Sequence, residues 1–229
     1  MADHKISNER KRELEQLDPF QVNFLKTIAY AKEYKTQLIL VLGAIVLVAV
    51  VFSGIMYSFK KAENSAAILV SQLLTRYAAA NDPDKGYLET HEEFESLFTD
   101  YTNTTSGKLA KIKFAKICYD ASKFDQSYKY YKESLEVFNN DVLIRNFILV
   151  SLGQVNIARK EFEEAKKYFL LIENGKTDLL KDEARFALAM LDEAADNTVD
   201  SKKMYEKIVT DYETSIYKPI AKSKLDEIK

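Results

Sequence analysis

The sequence predicts an all-α protein in which one membrane-spanning helix precedes a domain of paired helices. Three observations carry this expectation. No charged residue occurs between Thr36 and Phe59, and lysines close both ends of that run, Lys35 on one side and Lys60 and Lys61 on the other. The chain of 229 residues has only six Gly, three Pro and no Trp, too few turn formers for a domain of many short strands. From Ala62 onward, apolar residues recur at helical spacing between short polar connections. These features divide the chain into a tail (1–37), a span (38–57) and a helical domain (58–229).

The tail begins with a polar stretch, residues 1–12, expected to be disordered. Asp18 before Pro19 is a helix-start signal, because the carboxylate can accept free N–H groups and proline suits the first helical position. Phe20, Phe24 and Ile28 then recur on one face, with Gln21, Lys26, Lys32 and Glu33 opposite. This amphipathic helix is expected either to bind a partner or membrane surface, or only to position the span. Tyr30 and Tyr34 fall at headgroup depth, where amphipathic rings are favoured.

The twenty residues 38–57 reach roughly 30 Å as a helix, the thickness of a bilayer's hydrocarbon core. A cleaved signal peptide fits less well, since the charged stretch ahead is too long and two lysines stand where a cleavage region is uncharged. Gly54 with Ser58, or Ala49 with Ser53, would offer a small-residue face for helix pairing. Basic residues near the span are balanced, but the short tail also carries Lys5, Arg10, Lys11 and Arg12. The tail is therefore expected inside and the large domain outside.

Charge excludes a nucleic-acid binder: the tail has seven Lys/Arg against six Asp/Glu, and residues 58–229 have 26 against 29. Polar connections are expected at Asn81–Gly86, Asn103–Gly107, Asn139–Asp141 and Asn174–Lys176. Thr99-Asp100-Tyr101 echoes Thr210-Asp211-Tyr212 at an offset of 111 residues, which also pairs Phe94 with Tyr205, Leu97 with Ile208, Ala110 with Ala221 and Phe114 with Leu225. With a period near 37, one unit reads Leu152-Gly153, Phe162, Ala165, Phe169, Ile172. A second reads Phe114-Ala115, Cys118, Phe124, Ser127, Tyr131, Ser134-Leu135, and a third Leu188-Ala189, Ser201, Tyr205, Ile208. A degenerate first unit reads Leu74, Ala78, Tyr87, Phe94, Leu97, its first helix able to continue out of the membrane. The small residues are expected where helices cross closely, and the aromatics between pairs.

This pattern resembles the tetratricopeptide repeat, and it implies an α-solenoid of about four degenerate repeats. The units are longer than the family's 34 residues, Lys111 and Arg185 stand at a usually apolar position, and no proline ends the second helices. A last short helix over Leu225 and Ile228, capped by Ser215 or Thr214, is expected to cover the final repeat while Lys222, Lys224, Asp226 and Lys229 meet water. The architecture is similar to the membrane-anchored ancillary subunits of the bacterial Sec translocon, with local likeness at Glu13–Leu17 and Ala62–Ala66. That resemblance implies an inner-membrane protein with a periplasmic domain and protein partners: translocon subunits, a periplasmic chaperone or emerging chains.

No catalytic constellation, cofactor motif or metal site is expected. His4 and His91 lack ligand-spaced partners, and Cys118 falls at a core position of its unit. Binding is the expected activity. The repeat pattern points Ile112, Lys116, Tyr119, Phe147, Val150, Gln154, Ile157, Phe186 and Met190 toward a groove lined by first helices. The same residues would alternatively pack those helices together. An apolar groove suits an extended or helical apolar segment. Two functions stay open: an accessory of the translocon, or a structural scaffold or assembly factor of a division or secretion complex.

Overall fold

The computed structural model describes residues 19–228. The expectations for residues 1–12, for Asp18 as a cap and for Lys229 lie outside that range. The described residues form ten helices: α1 Pro19–Glu33, α2 Lys35–Ala79, α3 Pro83–Asp100, α4 Thr105–Asp120, α5 Phe124–Val137, α6 Val142–Ala158, α7 Phe162–Glu173, α8 Lys181–Ala194, α9 Thr198–Asp211 and α10 Lys218–Glu227. The chain divides into two compact units, Met1–Ser58 and Phe59–Lys229.

In the first unit, α1 stacks Phe20 on Phe24 and Tyr30 on Tyr34 along its surface. Its large apolar side chains, Phe20, Phe24, Leu25 and Ile28, are exposed. Helix α2 is 45 residues long, and its apolar part is wholly exposed, making it long and apolar enough to cross a membrane. The helix does not stop where the apolar run stops. No Gly or Pro stands between Tyr57 and Pro83, so neither of the strong helix breakers ends it there.

In the second unit, each strongly packed pair of helices is a pair of chain neighbours, from α3 with α4 through α9 with α10. The C-terminal third of α2 joins this unit by burying Ala66, Val70 and Leu73. Glu63 ties α2 to α4 by accepting the N–H groups of Thr105 and Ser106 at 2.7 and 2.8 Å. These are orphan donors of a helix N-terminus, where a carboxylate is favoured.

Four three-residue connections (80–82, 121–123, 159–161 and 195–197) share a left-handed central residue: Asn81, Ser122, Lys160 and Asp196 have φ between 52° and 63°. After α4, α6 and α8 the turn closes the same way. Lys123 N–H donates to the Cys118 carbonyl (2.7 Å), Glu161 N–H to Asn156 (2.8 Å) and Asn197 N–H to Asp192 (2.8 Å). This is the Schellman arrangement, which satisfies free carbonyls at a helix end. None of the four central residues is Gly; Ser122 and Lys160 accept backbone strain of about 1 kcal/mol or more, while Asn81 and Asp196 are of the types that tolerate this region.

None of the three later turns contains Gly or Pro, so no strong turn signal marks them in the sequence. Two of the expected connections are too long. Gly86 lies inside α3, pressed on the ring and carbonyl of Tyr77, and Gly107 lies in the first turn of α4 against the Tyr101 carbonyl. Both glycines are there for close approach, not for turning.

The core shows a regular depth pattern. Phe114, Leu152 and Leu188 are buried at successive offsets of 38 and 36 residues, as are Ala115, Gly153 and Ala189, and Ser127, Ala165 and Ser201. Tyr131, Phe169 and Tyr205 follow the same offsets and are among the largest fully buried side chains. The 111-residue echo has a structural counterpart too. Tyr101 and Tyr212 cap α3 and α9, and Phe94 and Tyr205, Leu97 and Ile208, and Ala110 and Ala221 are each fully buried.

Lys111 and Arg185 are each met by carboxylates. Lys111 pairs with Glu133 of α5 at 2.7 Å. Arg185 pairs with Glu173 of α7 at 2.7 Å and Asp211 of α9 at 2.8 Å, beneath the Tyr212 ring. The final helix departs from expectation at its start. It begins at Lys218, and Ser215 does not cap it. The Ser215 hydroxyl instead accepts from Tyr217 N–H and donates to Asp182 at 2.6 Å. Lys224, expected in water, pairs with Glu193 of α8 at 2.8 Å, which fastens α10 in place.

Candidate functional site

A groove runs along the exposed sides of α4, α6 and α8 as three adjoining hollows. The first, of about 610 Å³, is lined by Ile112, Lys116 and Phe147 together with Leu74, Tyr77, Leu109 and Leu143. The second, of about 140 Å³, takes Lys116, Tyr119, Phe147, Val150, Gln154, Leu180 and Glu183. The third, of about 390 Å³, takes Gln154, Glu183, Ile157, Phe186 and Met190, with Tyr217 at its far side. Lys116 and Phe147 belong to both the first and second hollows, and Gln154 and Glu183 to both the second and third. All nine residues proposed from the sequence thus line one continuous feature.

They do not line it equally. Ile112 and Val150 are buried and form its floor. Phe147 is 47% exposed and Met190 52%, and Ile157 is also open. Lys116 and Gln154 stand at the rim. Tyr119 packs edge-on against Phe124, with the Lys116 ammonium over its ring. Phe186 differs most from Phe147. Its ring stacks on Tyr217 at 4.8 Å and tilts against Tyr205 at 6.1 Å, so the chain's last segment covers one of its faces.

Sequence reasoning missed Leu109, Leu143 and Glu183. Each lies three or four residues before a groove residue on the same helix: Leu109 before Ile112, Leu143 before Phe147, Glu183 before Phe186. Extending the stripe by one helical turn finds all three. Leu143 is more exposed than Phe147, so the groove is open at that end. The α7–α8 loop that forms part of the wall is held by buried Asn146, whose amide donates to the Leu179 carbonyl at 3.0 Å.

The charged residues that line the hollows are Lys113, Lys116, Asp120 and Glu183. Lys116 is paired with Asp120 one turn along α4. Glu183 has no ion pair or side-chain hydrogen bond among the described residues. Burial and then the neighbouring Asp182 charge push its carboxyl above the usual range. Cys118 is fully buried outside the groove, and burial pushes its thiol up to about 12, far from a nucleophile's range. The geometry can hold an apolar segment. Compared with models of known protein families, with curated proteins and with solved structures, the chain matches none.

Proposed function

We propose that this protein is a membrane-tethered interaction module of the bacterial cell envelope, accessory to the Sec translocon or to the handling of chains that emerge from it. The observation that carries the reading is the continuous apolar groove with Phe147, Leu143 and Met190 open to solvent. Exposed apolar area of this kind marks interaction surfaces. Large aromatics in such grooves supply most of the binding energy. In this reading the helix pairs are degenerate tetratricopeptide-like repeats with α10 as the end cap, supported by the repeated turns and by the buried positions at offsets of 38 and 36. The apolar run of α2 is the anchor, supported by its length and hydropathy.

Affinity purification of the full chain from detergent-solubilised membranes is expected to recover translocon subunits. Phe147→Ala is expected to reduce that recovery about tenfold or more while leaving the melting temperature nearly unchanged. Phe186→Ala, which strips a ring packed on Tyr217 and Tyr205, is expected to lower the melting temperature. If Phe147→Ala instead costs the roughly 3–5 kcal/mol typical of a core ring, the residue is packing and not a docking surface. Recovery of division or secretion-system components in place of the translocon would favour the scaffold role.

The orientation in this reading places the tail in the cytoplasm and the large unit in the periplasm, from the seven basic residues of the tail. Protease added to intact spheroplasts is then expected to digest the large unit. Protection until lysis would reverse the topology.

A further inference from the structure

Glu183 stands where the second and third hollows of the groove meet, and it lines both. Helix α8 carries four acids, and three of them are matched within the fold. Asp182 accepts from the Ser215 hydroxyl at 2.6 Å, Asp192 is paired with Lys166, and Glu193 takes both Lys224 at 2.8 Å and the Tyr205 hydroxyl at 3.0 Å. Glu183 alone of the four has no such partner among the described residues. Of the groove lysines, Lys116 is committed to Asp120, and Lys113 lines only the first hollow, which Glu183 does not line.

Val150, Leu180, Phe186, Ala187 and the Tyr217 ring surround Glu183, with Gln154 and Ser151 as neutral polar neighbours in the hollows it lines. A half-buried carboxylate in such a setting is poorly solvated, and a cation brought in by a ligand relieves that cost while gaining a charge-assisted hydrogen bond. A small amine would engage only one hollow. A peptide segment spans all three, laying apolar side chains against Phe147 and Met190 on either side of the acid.

Building on the reading of the groove as a docking site, we propose that its occupant is an apolar peptide segment bearing one Lys or Arg, whose charged head meets the Glu183 carboxylate. The acid sets register and selects against apolar segments that carry an acid at that point, since like charges brought together in a desolvated groove are strongly disfavoured.

The test uses the full chain in lipid nanodiscs, panned against a phage-displayed library of random linear peptides, with empty nanodiscs for subtraction. Wild type is expected to enrich apolar peptides carrying a single Lys or Arg, and Phe147→Ala to enrich none of them. Glu183→Lys is expected to switch the enriched charge to Asp or Glu. A synthetic copy of an enriched peptide, with its Lys or Arg changed to Gln, should bind wild type about tenfold more weakly and should bind Glu183→Gln no worse than the parent peptide does. Enriched peptides that depend on Phe147 but show no basic preference, or no response to Glu183→Lys, would overturn the charge pairing and leave the groove reading standing. Failure to enrich any Phe147-dependent peptide would overturn both.

Discussion

Gly153→Ala is expected to destabilise the large unit by about 1–3 kcal/mol, and Gly153→Leu by more. Gly153 sits on α6 where α7 crosses it, and a Cβ built there falls on the edge of the Phe169 ring. Three atoms at the far end of the ring stand in the way, and Phe169, fully buried at the wall of the third hollow, must shift to admit the methyl. A new methyl must separate the helices or force Phe169 off its rotamer. Melting of the full chain in detergent, followed by circular dichroism, measures the loss. A second substitution keeps the result interpretable. Phe169→Leu removes the colliding edge, so Gly153→Ala added to Phe169→Leu should cost much less than Gly153→Ala in wild type. Ala165→Leu, at a fully buried position, should also be severe, and Lys222→Leu, on an exposed face, should be near neutral. Additive costs for Gly153 and Phe169 would mean that the two do not meet as described.

Arg185→Leu is expected to cost about 3 kcal/mol, because it strips one of two cations from a buried carboxylate. The Arg185 side chain is 10% exposed and that of Glu173 8%. Burial pushes the Glu173 carboxyl up, but hydrogen bonds from Arg185 and Lys207 outweigh it and hold the group below its ordinary range. For Asp211, the Thr210 hydroxyl and then Arg185 lower the carboxyl. Acids depressed on folding contribute stability that is present above their unfolded range and is lost as pH falls through their lowered folded values. The wild-type unit should therefore weaken in acid.

The variant should depend less on pH at this site. With Arg185 gone, Glu173 keeps only Lys207 against its burial, its carboxyl rises, and protonation costs less than in wild type. The gap between wild type and Arg185→Leu should narrow on acidification. The double variant Arg185→Leu with Glu173→Leu should recover most of the loss at neutral pH, since an apolar pair can replace a buried ion pair at little cost. A double variant no more stable than the single one, or a gap that does not change with pH, would remove the ion pair from the account.

How much of this was legible beforehand depends on how far each feature reaches along the chain. The long apolar helix, the helical content and the small-residue positions Ala115, Gly153 and Ala165 follow from composition and periodicity, which are local. The nine groove residues were also placed together by periodicity, because one helical stripe carries them from pair to pair. The turns at Ser122, Lys160 and Asp196 were not readable. Their left-handed backbone is imposed by packing helices on both sides, which overrides the preference for Gly at such positions.

The charges at Lys111 and Arg185 looked like departures from an apolar pattern, and only the folded chain supplies Glu133, Glu173 and Asp211 to meet them. Phe147 and Phe186 were equivalent in sequence. The tertiary structure separates them, because Tyr217 returns from the chain's end to cover one ring and nothing described returns to cover the other. Sequence alone determined which faces are apolar, since that is a property of spacing along one helix. Only the tertiary structure decided which apolar faces are open and which charges are unmatched, since each depends on residues tens of positions away.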